Sequence, residues 1–433
     1  MRLGNHGGMP NDATTLLQGL RTGETTARAA TDRALARISE REPLIAAWAH
    51  VDPEAPRAQA DALDAGAARG PLHGLPIGIK DVLLTRDMPT GYNSALYRDQ
   101  PLSTDAAAVA LLRGAGAVVI GKTATVELAS LGAPPPTRNP HALEHTPGGS
   151  SSGSAAAVAD GHVRLALGTQ TGGSIIRPAS FCGVWALKPS WGLVPTEGAK
   201  PFAPSLDTVG WFASSARDLK LPLRLLAPSE DCAAPARLRI GVWRTEAWPQ
   251  AERATHAALA SAIALLQANG ATVVDVELPC AGLVAAHRVI MIAEGARSFL
   301  REYRASPDQL HPRIAEMVRD GDHMPGATLR AAHDLAAQAR AAFDQLAGEY
   351  DAILSPSTIG PAPRGLSATG DLVFNGLFTL LHVPVVNLPL HWTPEGLPVG
   401  LTLSAARYDD HRLIAVAEII QEIARTSAHG GDD

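Results

Sequence analysis

The chain has 433 residues, 46% of them hydrophobic, enough for one large domain or two to three small ones with a sizeable core. A formal net charge of −6 with no long basic run argues against a nucleic-acid footprint. No stretch approaches the roughly 18 uninterrupted apolar residues of a membrane span, and Met1–Asn11 lacks the apolar centre of a signal peptide. Three widely spaced cysteines, Cys182, Cys232 and Cys280, suit reduced thiols better than a disulfide framework, so a cytoplasmic protein is expected.

Helix-spaced apolar residues over 12–39 (Leu16, Leu17, Leu20, then Ala30, Ala34, Leu35, Ile38), interrupted at Thr22-Gly23, predict two helices. Ile45–Val51 reads as a strand and Pro56–Ala68 as a helix ended by Gly70-Pro71. Ile77–Leu84 then reads as a buried strand with Lys80 near its middle. A helix over Ala106–Leu112 and a short buried strand at Ala117–Ile120 follow. Gly116 to Thr123 fits the phosphate-loop pattern letter by letter. A phosphate-cradling loop must follow its strand, however, and Ala117-Val118-Val119-Ile120 between the glycines reads as the strand itself. Glu127 just beyond it reads as structural or pocket-lining. His141 and His145 have the spacing of metal ligands on a helix. Pro140 before them and Pro147-Gly148-Gly149 after them favour a loop instead, with no third ligand nearby.

Helix, strand and turn then alternate to about Leu226. A polar connection at Ala227–Pro235 leads to a strand at Leu238–Trp243. An amphipathic helix at Ala251–Ala268, closed by Asn269-Gly270, and a strand at Thr272–Leu278 follow. Leu283–Leu346 is mostly helical, with breaks at Pro307, Pro312 and Pro325-Gly326. Strands at Ala352–Pro356 and Val385–Leu390 and a helix at Leu413–Ile423 complete an order that predicts an α/β architecture with a mixed sheet.

Three blocks carry the chemistry. The first is Gly74-Leu75-Pro76-Ile77-Gly78-Ile79-Lys80-Asp81. The second, Thr146–Ala159, runs from the glycine-serine loop Pro147-Gly148-Gly149-Ser150-Ser151-Ser152-Gly153-Ser154 into an alanine-rich helix. The third is Gly168-Thr169-Gln170-Thr171-Gly172-Gly173-Ser174-Ile175-Ile176-Arg177-Pro178-Ala179. Together with Phe181-Cys182-Gly183, Lys188-Pro189 and Gly396–Leu401, they resemble the amidase signature family, serine hydrolases whose base is lysine rather than histidine. The resemblance covers nearly the whole chain. It implies a Ser–cis-Ser–Lys triad, here Ser174, Ser150 and Lys80, with a cis peptide between Gly149 and Ser150. It also implies one domain, residues 1–433, built on a large twisted mixed β-sheet covered by helices on both faces. About residues 281–346 would form a variable, mostly helical pocket wall. Two departures stand out. Gln170 replaces the Asp of much of the family, and the arginine falls one place later, at Arg177, which suggests a subgroup with a neutral loop support. Ser152-Gly153 replaces the Gly-Gly of many members.

The chemistry explains why these residue types are needed. A serine hydroxyl attacks an amide only when a base lies within hydrogen-bond reach. Lys80 serves only if neutral, so its pKa must fall far below the ordinary value of about 10.4. Flanking Ile77, Ile79, Val82 and Leu83 supply desolvation; strand alternation sends the Asp81 carboxylate to the other face. Ser150 would relay the proton, although a serine there also suits a helix N-cap. Ser174 would be the nucleophile. The N–H groups of Thr171, Gly172, Gly173 and Ser174 would form an oxyanion hole, with Gly149 and Ser150 against the substrate.

The expected reaction is hydrolysis of an amide, anilide or carbamate, and of some esters, with no cofactor and no metal. Expected partners are a small-molecule substrate, no nucleic acid and no membrane, in a monomer or homodimer. Apolar residues around Ile290–Phe299 and Leu372–Leu381 hint at an uncharged, partly hydrophobic substrate. Two rival readings remain: the A subunit of a glutamine-dependent tRNA amidotransferase, and a catalytically silent binding protein on the same fold.

Overall fold

The computed structural model describes residues 12–98, 104–228 and 235–429. Met1–Asn11, Cys232 and most of the Ala227–Pro235 connection lie outside the described residues. Helices Ala13–Thr22 and Ala27–Ile45 open the described chain, as the apolar spacing predicts. The Asp12 carboxylate accepts the Thr15 N–H at 2.9 Å and the Thr26 hydroxyl accepts the Ala29 N–H at 3.1 Å, filling donors that a helix start leaves open. The second helix runs to Ile45, where a strand was expected to begin. The strand starts only at Trp48, because the Glu42 carboxylate accepts the Ala47 and Trp48 N–H groups at 2.9 and 2.8 Å and holds the turn between them.

Among the described residues, eleven strands form one mixed sheet. In chain order they are β1 (Trp48–Val51), β2 (Pro76–Lys80), β3 (Val118–Thr123), β4 (Leu165–Gln170), β5 (Trp185–Lys188), β6 (Thr208–Ala213), β7 (Arg239–Val242), β8 (Thr272–Asp275), β9 (Ala352–Pro356), β10 (Val385–Trp392) and β11 (Pro398–Ser404). Across the sheet the order is β1-β3-β2-β4-β6-β5-β10-β11-β9-β7-β8. The trios β3-β2-β4 and β9-β7-β8 are internally parallel. All other pairs are antiparallel. Fourteen α-helices accompany the sheet among the described residues. Every residue of β2 and β3 is buried, the usual state of parallel strands and the reason they read as continuous apolar runs. The phosphate-loop look-alike is therefore strand: Val118–Thr123 pairs with β2, and its last residues also pair with β1. After β8 come the helices Leu283–Ser298, Leu300–Ala305, Pro312–Asp322 and Gly326–Ala347; the breaks before the last two coincide with Pro307, Pro312 and Pro325, whereas the first falls at Phe299, with no proline.

Two features of this fold place the site. Parallel neighbours β2 and β4 pair Ile77 with Leu165 and Ile79 with Leu167, so both end at the same sheet edge, with Lys80 closing β2 and Gln170 closing β4. Lys80 is thus the last strand residue rather than a middle one. The chain turns at once, and the Val82 and Leu83 N–H groups donate to the Lys80 carbonyl at 2.7 and 3.0 Å. The helix Ser152–Ala159 is seated nearby through Gly153, whose N–H donates to the Ala124 carbonyl at 2.9 Å. A Cβ at Gly153 would lie 2.1 Å from Ala47 O and 2.3 Å from Ala124 N, both backbone atoms that cannot swing aside. Gly153→Ala should lower the unfolding free energy by about 1–3 kcal/mol, the usual range for overpacking. The measurement is a fall in urea midpoint at unchanged slope.

Candidate active site

Lys80 is wholly buried at the end of β2. Its Nζ stands 2.8 Å from Ser150 Oγ, 2.8 Å from Thr169 Oγ1 and 3.4 Å from Thr169 O. A neutral amine has two N–H donors and one lone pair. The two donors suit the Thr169 hydroxyl and carbonyl, which leaves the lone pair facing the Ser150 hydroxyl. Burial drives the Lys80 pKa well below its ordinary value; the Asp207 carboxylate opposes this and the Arg177 guanidinium reinforces it. Asp81 does not restore the charge. Its carboxylate pairs with Lys122 at 3.3 Å and accepts the Gly91 N–H at 3.2 Å. Two further lysines are also fully buried, and burial brings Lys122 down to about 8 and Lys188 down to about 7.

The Gly149–Ser150 peptide is cis. The Ser151 N–H donates to the Ser174 carbonyl at 3.3 Å, which draws the two serine-bearing segments together. Ser150 does not cap the helix that follows, whose N-cap is Ser151, without a side-chain capping bond. The neighbouring serines have structural work. Ser151 Oγ donates to Thr169 O at 3.2 Å, Ser152 Oγ to Gly148 O at 2.7 Å and Ser154 Oγ to Leu167 O at 2.8 Å. Ser174 retains 9% of its surface, and among the described residues its hydroxyl has no hydrogen-bond partner, so it remains reachable by a substrate.

Beyond β4 the backbone N–H groups of Thr171, Gly172, Gly173 and Ser174 have no acceptor among the described residues. The next two, of Ile175 and Ile176, both donate to the Gln170 side-chain oxygen at 2.8 and 3.0 Å. Gln170 Nε2 donates in turn to Thr379 Oγ1 at 3.0 Å. Gln170 is thus the neutral loop support that its replacement of Asp suggests. Arg177 does not touch it. Its guanidinium donates to Gly149 O at 2.6 Å and Gly370 O at 2.8 Å, tying the carbonyl of the cis peptide to the 369–372 loop. A Cβ at Gly173 would lie 2.6 Å from Asn375 Oδ1, so only glycine allows the loop to lie this close to the helix Val373–Leu380.

Several site neighbours have no sequence signal of their own: Thr169 beside Lys80, Asp207 accepting from the Thr171 hydroxyl, and His287 and Thr379 against the loop. Burial pushes the Asp207 carboxyl up to about 6. The apolar stretches expected to line a pocket are mainly core. Ile290, Met291, Phe299, Leu377, Phe378 and Leu380 all lie in the main buried cluster. Of the apolar side chains in these stretches, Leu372 stands against the loop, with its Cδ2 3.2 Å from where a Gly172 Cβ would be. His141 and His145 lie in a loop and hydrogen-bond the carbonyls of Cys182 at 2.9 Å and Ala362 at 2.7 Å. Glu127 is buried and accepts from the Ser94 hydroxyl at 3.2 Å. No helix among the described residues is long and apolar enough to cross a membrane.

The amidase family model matches residues 29–414 of this chain. The chain belongs to the amidase family. It is accordingly an enzyme acting on carbon–nitrogen bonds. Similar proteins include the A subunit of glutamyl-tRNA(Gln) amidotransferase from Roseiflexus castenholzii, 35% identical over 459 residues, which span 93% of this chain and 94% of the relative. Among solved structures, one described as an amidase superposes with a TM-score of 0.88 at 31% identity, covering 95% of this chain and 99% of that one. The peptide amidase of Stenotrophomonas maltophilia gives a TM-score of 0.81 at 28% identity over 96% and 97% of the two chains. This amidase therefore shares its mixed α/β architecture with enzymes that cleave amides.

The depressed Lys80 pKa has a consequence for stability. Between its folded value and the unfolded 10.5, the unfolded chain binds the extra proton, so stability rises with pH through that window. Lys122 and Lys188 act in the same direction. Lys80→Met removes one of the three contributions. The gain in thermal midpoint between about pH 7 and pH 10 should therefore be smaller in the variant than in the parent.

Proposed function

We propose that this amidase hydrolyses the C–N bond of a small amide, anilide or carbamate through an acyl-enzyme on Ser174, with esters as further substrates. The observation that carries this reading is the 2.8 Å contact between a wholly buried lysine amine and the Ser150 hydroxyl, with no carboxylate among the amine's hydrogen-bond partners. Neutral Lys80 takes the Ser150 proton while Ser150 takes that of Ser174, and the freed oxygen attacks the scissile carbonyl carbon. The negative charge that develops on the carbonyl oxygen meets the unpaired N–H groups of Thr171–Ser174. The relay then runs backward: the proton passes through Ser150 to the leaving nitrogen, the C–N bond breaks and the amine departs. Water, deprotonated along the same path, attacks the ester on Ser174 and releases the acid.

A second reading comes from the curated relatives. Several of them are the A subunit of glutamyl-tRNA(Gln) amidotransferase, at 31–35% identity over at least 90% of this chain. On that reading the amide donor is glutamine and the ammonia passes to a partner protein. The chemistry at Ser174 is the same. Turnover of a panel of chromogenic anilides, esters and carbamates by the purified chain, as monomer or homodimer, favours the first reading. Glutamine cleavage that appears only with a partner protein favours the second.

Ser174→Ala should lower kcat on every cleavable substrate by at least about a thousandfold; full turnover in that variant defeats both readings. Lys80→Ala should reduce kcat/KM more on amides than on matched esters, because an amine leaving group needs the returned proton and an alkoxide needs it less. Equal losses on the two would remove Lys80 from the proton path.

A further inference from the structure

We infer that His287 and Thr379, from the C-terminal half of the chain, are positioning residues that aim the Gly172 and Gly173 N–H groups at the reacting carbonyl oxygen; this rests on the Ser174 reading above. His287 Nε2 lies 2.9 Å from Thr171 O, and Thr379 Oγ1 donates to Gly172 O at 2.7 Å. In a trans peptide the carbonyl and the N–H of the same unit point in opposite directions. The cis bond at Gly149–Ser150 lies outside this loop. Holding Thr171 O therefore turns the Gly172 N–H the other way, and holding Gly172 O does the same for the Gly173 N–H. Both freed donors are among those with no acceptor among the described residues.

Donor and acceptor roles are fixed on both clamps. Thr379 has one hydroxyl proton and receives the Gln170 Nε2–H at 3.0 Å, so its own proton is left to donate, and Gly172 O at 2.7 Å is a much closer acceptor than Asn375 O, one helical turn back at 3.3 Å. An Asp in place of Gln170 has no N–H to offer, which ties this arrangement to the Gln-bearing sequence. His287 is buried and its pKa is lowered, so the ring is neutral, and a carbonyl partner requires its Nε2 to carry the proton. The two clamps stand on helices that pack against each other, Leu283–Ser298 and Val373–Leu380. At Gly376 a Cβ would come 2.9 Å from His287 Nδ1, so glycine lets the imidazole lie against the second helix.

The test is steady-state kinetics on the best amide of the panel, with melting curves to confirm folding. Thr379→Val and His287→Leu should each lower kcat about 10–100-fold, below or near the cost of losing one oxyanion donor, while KM changes less than about twofold. Thr379→Ser, which keeps the hydroxyl, should stay within about threefold of the parent. A trifluoromethyl ketone analogue of that amide, which places an oxyanion in the loop, should lose affinity in step with kcat. Gln170→Glu supplies a second route should the other variants fail to fold. A carboxylate there draws the Thr379 proton away from Gly172 O and should give the same kcat loss. A folded Thr379→Val with unchanged kcat, a loss expressed in KM alone, or a Thr379→Ser as impaired as Thr379→Val overturns the inference. Undiminished turnover by Ser174→Ala on the same amide would instead remove the reading beneath it.

Discussion

One amine kept away from water organises this enzyme. A lysine buried as an ammonium would need a counter-charge, and a close carboxylate would end the role as a base proposed for it. The fold avoids both outcomes. Lys80 ends a strand enclosed by parallel neighbours, and its Nζ meets hydroxyls and a carbonyl. The nearest carboxylate in sequence, Asp81, is engaged by a second buried lysine, Lys122, which also donates to the Leu83 carbonyl at 2.9 Å. The Asp81–Lys122 pair thus removes a competitor from the site without taking part in the proposed chemistry.

The parts of the site come from different regions of the chain. Strand ends and the two serine-bearing loops provide the amine, the hydroxyls and the unpaired N–H groups. The orientation of those N–H groups depends on contacts from the C-terminal helices and on the Gln170 amide. Arg177 adds a third tie, between the Gly149 carbonyl and the 369–372 loop.

Much of this was legible in the sequence, for physical reasons. Uninterrupted apolar runs mark β2 and β3 because parallel strands are covered on both faces, and prolines and glycines mark the breaks between helices. Lys80, Ser150 and Ser174 stand out because each lies in a glycine-rich or apolar block of unusual composition. Other features were hidden. The end of β2 at Lys80 depends on a turn that no residue type announces, and the late start of β1 on the Glu42 carboxylate reaching two N–H groups. Asp207, His287 and Thr379 are ordinary residues in ordinary surroundings, brought to the site only by tertiary packing, and Thr169, although inside the third block, carries no mark of its contact with Lys80. The apolar stretch Ile290–Phe299 misled for the opposite reason: hydrophobicity alone does not separate a pocket wall from a core.

The chain contains only five lysines, at positions 80, 122, 188, 200 and 220. Three are sealed in the interior, and the other two are engaged by Glu302 and Glu418 at 2.7 and 2.6 Å. The exterior positive charge is carried almost entirely by guanidinium groups, which do not deprotonate in water. Acylating or reductively alkylating reagents therefore find few side-chain amines on the folded molecule. Incorporation at positions 80, 122 and 188 would serve as a clock for how often the sheet interior opens.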